Sequence, residues 1–239
     1  MKIDPAPFRF KQFTVHQANT PLKVGTDGVI LGAWAHHRLP KRILDIGTGT
    51  GIIALMLAQR FPEAKIDAID LNKNALLDAE FNFRHSPWKH RIKAINTRVQ
   101  DYDSKDSYDL IVSNPPYFTE DSKSNSVEKD MARHQDSLNL SELMKAASTL
   151  MNEDSLLQVI LPYAQLRDAI WEASLKQLYP LNAMAVHTVK NKPAERVMLS
   201  FKHSFKGEMK ESNLHVYQEA TWEESLKWRR IKEDFYLHT

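Results

Sequence analysis

The five residues Ser113-Asn114-Pro115-Pro116-Tyr117 bring together a side-chain amide, a backbone carbonyl and an aromatic ring. Two hydrogen-bond acceptors and a flat surface suit the holding of a planar polar group, and the set contains no His or Lys to take a proton from it. The paired prolines make the mount stiff: each fixes its own φ, and neither has an amide hydrogen with which to continue a strand. A Pro-Pro turn can equally do no more than end a strand, with Tyr117 packed on a neighbour. The rest of the chain has to supply the reason for a site here.

A second group of residues supplies one. Gly47-Thr48-Gly49-Thr50-Gly51 lies between a compact apolar run, Arg42 to Ile46, and a helix pattern from Ile52 to Phe61. Asp70 ends the next apolar run, Lys65 to Ile69, nineteen residues after Gly51. That is about the ~20 residues at which a dinucleotide-type fold sets a carboxylate on a ribose. The glycines, however, are spaced Gly-x-Gly-x-Gly, and Asp45 just ahead of them would repel a diphosphate. A carboxylate there suits a ligand with a positive end. S-adenosylmethionine carries an ammonium and a sulfonium, has no phosphate, and still needs an acid for its ribose.

The elements that must position these groups read as alternating strands and helices. Beyond the strands at Arg42 and Lys65, the apolar runs predict strands at Lys93 to Asn96, Tyr108 to Ser113, Leu156 to Leu161, Asn182 to Val189 and Val197 to Phe201. Helices are expected over Lys73 to His85, Ser141 to Met151 and Ala164 to Leu178. The last two strands follow one another without a helix and should pair antiparallel. Ahead of the glycine loop, Phe8, Phe10, Phe13 and Val15 suggest a short hairpin, and Thr26 or Asp27 is placed to cap a helix through Ile30 and Trp34 as far as Pro40. Thr221 and Glu224 form a capping-box pattern for a C-terminal helix. The polar stretch Thr119 to Gln135 follows the Pro-Pro turn directly, where it could be a lid or an ordinary surface loop.

With 239 residues, 42% of them hydrophobic, the chain can bury a full core as one α/β domain: residues 1–40 ahead of it, 41–203 as the core sheet and 204–239 as an extension. There is no Cys, which excludes disulfides and cysteine zinc sites, and no apolar run approaches the ~18 residues of a membrane span. A cytoplasmic protein without metal is expected. A net charge of +2 does not by itself announce a nucleic-acid binder. Basic residues nonetheless cluster at Arg9, Lys11 and Lys23, from Lys89 to Arg98, and from Lys227 to Lys232.

The glycine loop with Asp45 and Asp70 resembles that of class I S-adenosylmethionine-dependent methyltransferases. The resemblance implies a Rossmann-like α/β fold: a seven-stranded, mostly parallel sheet with one antiparallel strand and helices on both faces. It implies that Gly47, Gly49 and Gly51 let the backbone approach the cofactor, that Asp70 and its neighbour Leu71 hold the ribose, and that Asp101 meets the adenine amino group. Lys23, Thr26, Asp45 and Asn114 complete the implied cofactor set. Asn-Pro-Pro-Tyr resembles the acceptor site of amino-methyltransferases, which act on adenine N6 or on glutamine amides. In that role Asn114 and the Pro115 carbonyl would grip the amine hydrogens and Tyr117 would stack on the acceptor, with Pro116, Phe118, Arg133 and His134 as further substrate contacts.

Which nitrogen is methylated turns on the N-terminal segment. Phe10-Lys11-Gln12-Phe13 through Lys23-Val24-Gly25-Thr26-Asp27-Gly28-Val29 to Trp34 resembles the bacterial tRNA adenine N6-methyltransferases that modify adenine-37 of a valine tRNA. The likeness continues through Ala132-Arg133-His134, Lys192-Pro193 and Asp234-Phe235-Tyr236-Leu237. It implies a tRNA substrate with its target base turned out of the stack, and no obligate protein partner. Two alternatives stand beside it: a protein glutamine N5-methyltransferase using the same quartet, and a cofactor- or RNA-binding module without turnover.

Overall fold

Five strands line up in parallel in a computed structural model of the chain, which describes residues 6–20, 23–116, 138–218 and 222–237. They are β3 (Arg42–Ile46), β4 (Lys65–Asp70), β5 (Ile92–Asn96), β6 (Tyr108–Ser113) and β7 (Met151–Pro162). A hairpin of β8 (Tyr179–Val189) and β9 (Arg196–Lys202) and a last strand, β10 (Lys210–Tyr217), complete an eight-stranded sheet. Its order is β10-β8-β9-β7-β6-β3-β4-β5. Only β9 is reversed, running antiparallel to both β7 and β8, while β10 lies parallel to β8. A separate two-stranded ribbon pairs β1 (Phe8–Arg9) with β2 (Thr14–Val15).

Helices cover both faces. On one lie α1 (Thr26–Trp34), α2 (Ile52–Arg60), α3 (Lys73–Arg84) and α6 (Leu226–Lys232), whose apolar side chains join the N-terminal aromatics and the inward residues Ile43, Ile66, Leu110 and Val112. On the other, α4 (Leu140–Leu150) and α5 (Leu166–Ser174) pack on Leu44, Ile46, Ile69 and Ile111. Each central strand therefore feeds alternate residues to two cores, which is why it reads as an unbroken apolar run.

The eighth strand corrects the expected seven. The run Lys210 to Tyr217 carries only Leu214 and Val216 as buried side chains, too short an alternation among polar residues to announce a strand. Two expected caps also fall elsewhere. The α1 helix starts behind Gly25 without a side-chain cap, because Asp27 turns instead to Arg196 at 2.9 Å. It stops at Trp34 and not Pro40, since the Gln158 side chain accepts from the His36 amide and donates to the His36 carbonyl, both at 2.9 Å. At the C-terminal end Ser225 caps α6 by accepting from the Trp228 amide, and Glu224 pairs with Lys232 at 2.6 Å. Thr221 lies outside the described residues.

Candidate active site

The carboxyl ends of β3, β4 and β6 open onto one cavity of about 250 Å³. Its floor is the loop after β3, where Gly47, Gly49 and Gly51 have φ of 73°, 57° and 81°, in the left-handed region that favours glycine. The loop is tied to β4 by the amides of Gly47 and Thr48, which both donate to the Ile69 carbonyl. A Cβ built at Gly47 or Gly49 would meet nothing within 4 Å: both face the cavity and leave a cradle there. Gly51 is placed differently, since its Cβ would overlap the Phe83 ring; its bareness lets α2 and α3 pack, and it does not line the cavity.

Asp70 stands at the end of β4 on the cavity wall. It accepts from the Gly49 amide and from the Asn72 amide, each at 2.8 Å. Burial raises its pKa, and the two amides oppose that shift. Leu71 and Asn72 follow on the wall, and Asn72 also caps α3 by accepting from the Asn74 and Ala75 amides. Asp45 lies beneath the loop, fully buried, and accepts from the Thr48 hydroxyl at 2.7 Å. Burial pushes its pKa up to about 7, with Asp70 adding to the rise and Thr48 and the Ala54 amide opposing it. Its second oxygen has no well-formed hydrogen bond among the described residues. The open cradle at Gly47 and Gly49, the rim carboxylate of Asp70 and the apolar walls of Ile69 and Val99 fit the nucleoside part of S-adenosylmethionine.

Opposite Asp70 the wall is made by Asn114, Pro115 and Pro116. Ser113 fixes the end of β6, its hydroxyl donating to the Ile46 carbonyl at 3.0 Å, so that Asn114 leaves the sheet at a set point over the cavity. Tyr117, Phe118, Arg133 and His134 lie outside the described residues. Of the other expected cofactor contacts, Lys23 donates to the carbonyls of Gln17 and Thr20 and so braces its own loop. Thr26 is exposed at the start of α1 and borders a different cavity, beside Asp27 and Arg196. Asp101 ends a 3-10 turn, is exposed and pairs with Arg98 at 3.9 Å; the cavity wall there consists of Thr97, Arg98, Val99 and Gln100. Among the described residues no group of three His, Cys, Asp or Glu is arranged to hold a metal ion.

Sequence reasoning missed the N-terminal arm over the cavity mouth. Thr20 lines the cavity, and it is held there by two buried side chains of α3. Asp78 accepts from the amides of Asn19 and Thr20 and from the Asn19 side chain, at 2.7–2.9 Å. Asn82 accepts from the His16 amide and donates to the carbonyls of His16 and Thr50, so that one amide joins the arm to the glycine loop. The visible signal was a polar pair four residues apart on the buried stripe of α3, among Ala75, Ala79 and Phe83.

Residues 25–161 match the family described as methyltransferase small domain. Among curated proteins, the chain is 40% identical over 238 residues to the tRNA1(Val) (adenine(37)-N6)-methyltransferase of Christiangramia forsetii, covering 97% of this chain and 98% of that one. It is 38% identical over 232 residues to the protein of the same name from Bacteroides thetaiotaomicron, covering 97% of each. Among solved structures, a predicted O-methyltransferase from Agrobacterium tumefaciens superposes with a TM-score of 0.70 over 87% of this chain and 96% of that one, at 15% identity, a likeness of fold alone.

Proposed function

The chain belongs to the tRNA1(Val) (adenine(37)-N6)-methyltransferase family, and on that premise we propose that its cavity joins S-adenosylmethionine to the exocyclic amine of an adenine in tRNA. It is a methyltransferase that modifies adenine N6 in tRNA, with adenine-37 of a valine tRNA as its target and the cytoplasm as its place of work. The observation that carries the reading is that Asn114 and Pro115 line the same cavity as Gly47, Gly49 and Asp70. Acceptor and cofactor can therefore meet without movement of the sheet.

The cofactor supplies an electrophilic methyl group on its sulfonium. Gly47 and Gly49 would admit it closely and Asp70 would take the ribose hydroxyls, while Asp45 braces the loop from beneath through Thr48. The amine of adenine is a poor nucleophile because its lone pair is delocalised into the ring. The Asn114 side-chain oxygen and the Pro115 carbonyl accept its two hydrogens, which favours the pyramidal nitrogen and stabilises the positive charge that develops on it. The stacking role expected of Tyr117 falls on a residue outside the described ones. The methylated nitrogen then loses a proton to water, so no strong base is needed beside it.

Incubation with unmodified tRNA and cofactor labelled in the methyl group should yield labelled N6-methyladenosine at a single position. Label in a protein glutamine instead of RNA would move the assignment to the amide acceptor. Cofactor binding with no transfer to either would leave a binding module.

A further inference from the structure

The sheet's carboxyl edge extends well past the cavity. The β8 and β10 strands run in the same direction as β6, so their ends, Val189 and Tyr217, stand paired toward that edge, three and four strands along from Asn114. The register sets Ser113 level with Ala183 and Glu211, so these ends also reach further along the strand direction; at ~4.8 Å per strand and ~3.3 Å per residue, the end of β10 lies about 25 Å from the acceptor clamp. Here the indole of Trp222 is 63% exposed, propped edge-on against the Tyr217 ring with centroids 5.1 Å apart. Its backbone has φ of 59°, a conformation that a bulky side chain rarely adopts. The described residues on either side are tied together: the Gln218 amide donates to the Glu223 carbonyl, and the Ser225 amide to the Val216 carbonyl. A large apolar ring is thus held outside the core on a strained backbone, which calls for a reason outside the core.

Its surroundings narrow the reason. Trp222 borders a cavity of about 600 Å³ with Val189 at the end of β8 and with Lys192 and Pro193 from the turn after it; Lys192 is exposed, and so is Lys190, whose amide donates to the Tyr217 carbonyl. His187 and His215 lie tilted against one another with centroids 4.8 Å apart. The acid in this cavity wall, Glu195, accepts from the Thr188 hydroxyl. A flat ring flanked by cations matches the two needs of an unpaired nucleotide, a surface to stack its base on and charge for its phosphates. We propose that Trp222, with Lys190 and Lys192, is a stacking platform for an unpaired nucleotide of the tRNA, remote from the base being methylated. The proposal rests on the tRNA reading above and adds to it a second point of grip, which explains how a chain of net charge +2 holds RNA.

The test uses the full chain, a valine tRNA transcript and the variants Trp222→Ala, Trp222→Gly, Trp222→Phe and Lys190→Ala/Lys192→Ala. Trp222→Ala and Trp222→Gly should raise KM for the transcript about tenfold, with kcat and cofactor affinity within about twofold of wild type. Trp222→Phe should recover most of the loss, and the lysine pair should weaken binding and flatten its salt dependence. Glycine also relieves the backbone, so Trp222→Gly should melt no lower than wild type, which a merely structural tryptophan would not allow. Unchanged KM in Trp222→Ala and Trp222→Gly would overturn the platform while leaving the methyltransferase reading in place. Should wild type transfer no methyl group to the transcript, the function reading falls instead. The platform is then decided by fluorescence anisotropy with a labelled anticodon stem-loop: a tenfold weaker Trp222→Ala supports it, and equal binding sinks it.

Discussion

At the scale of single residues the proposed site divides into groups assigned to the cofactor and groups assigned to the acceptor, and the two should separate by mutation. Removing a hydrogen-bond acceptor that acts on developing charge costs about 100- to 1000-fold in kcat. Asn114→Ala should show a loss of that order with cofactor affinity within about twofold, measured by single-turnover transfer and by calorimetry. Asp70→Ala should instead weaken cofactor binding by roughly tenfold or more, the worth of a hydrogen bond to a charged group. Loss of cofactor affinity alone in both variants would refute the division. Asp45 allows a test by pH. Its carboxyl is held near 7 by burial, well above 3.8, so the folded protein keeps a proton that the unfolded chain has released. That contribution to stability is whole below pH 4 and is lost as the pH rises through 7, a fall on the order of a few kcal/mol. Denaturant titrations of the cofactor-free protein between pH 5 and 8 should show it, and Asp45→Asn should flatten the curve. Gly47, Gly49, Asp70 and Asn114 were legible in the sequence because each is fixed by neighbours a few positions away. Tyr117, His134 and Arg133 were named on the same grounds but fall outside the described residues.

At the scale of elements, what escaped the sequence was whatever depended on a partner far along the chain. The α1 helix has a plausible cap in Asp27, but Arg196, 169 residues on, takes that carboxylate. The same helix lacks a stop signal before Pro40, yet Gln158 from β7 ends it by capturing His36. The clamp on the N-terminal arm belongs to this class as well: Asp78 and Asn82 read as oddities on an apolar stripe until residues 16–20 are seen against them. Their division of labour is sharp enough to predict. Asp78→Ala should speed hydrogen exchange at the amides of Asn19 and Thr20 while His16 stays protected, and Asn82→Ala should do the reverse. Each buried polar group left without a partner costs about 1–3 kcal/mol, so both variants should also melt several degrees lower. Equal exchange at all three amides in both variants would mean that the arm is held by something other than α3.

At the scale of the whole molecule the two edges of the sheet do different work. The carboxyl edge carries the cavity, the acceptor clamp and the outer tryptophan, all on loops. The amino edge is locked by side chains. Tyr108 at the start of β6 donates to Asp67 of β4 at 2.6 Å and meets the Tyr102 hydroxyl at 2.6 Å. Arg42 of β3 pairs with Asp67 at 3.1 Å and with Asp106 at 2.8 Å, and its guanidinium lies 5.0 Å from the centre of the Tyr108 ring. Burial and the neighbouring Asp67 raise the Tyr108 phenol, so it remains a donor throughout the working pH range. Three strands that are adjacent in the sheet but far apart in the chain are pinned together, at the end opposite the cavity. Tyr108→Phe keeps the ring and its packing and removes only the hydroxyl, taking one partner from the Tyr102 hydroxyl and leaving that Asp67 oxygen with Arg42. It should cost about 1–3 kcal/mol in urea unfolding with kcat and KM for tRNA within twofold of wild type. A matching loss of activity in the folded variant would show that the amino edge sets the geometry of the cavity across the length of the strands, and the division between a stabilising edge and a working edge would then fail.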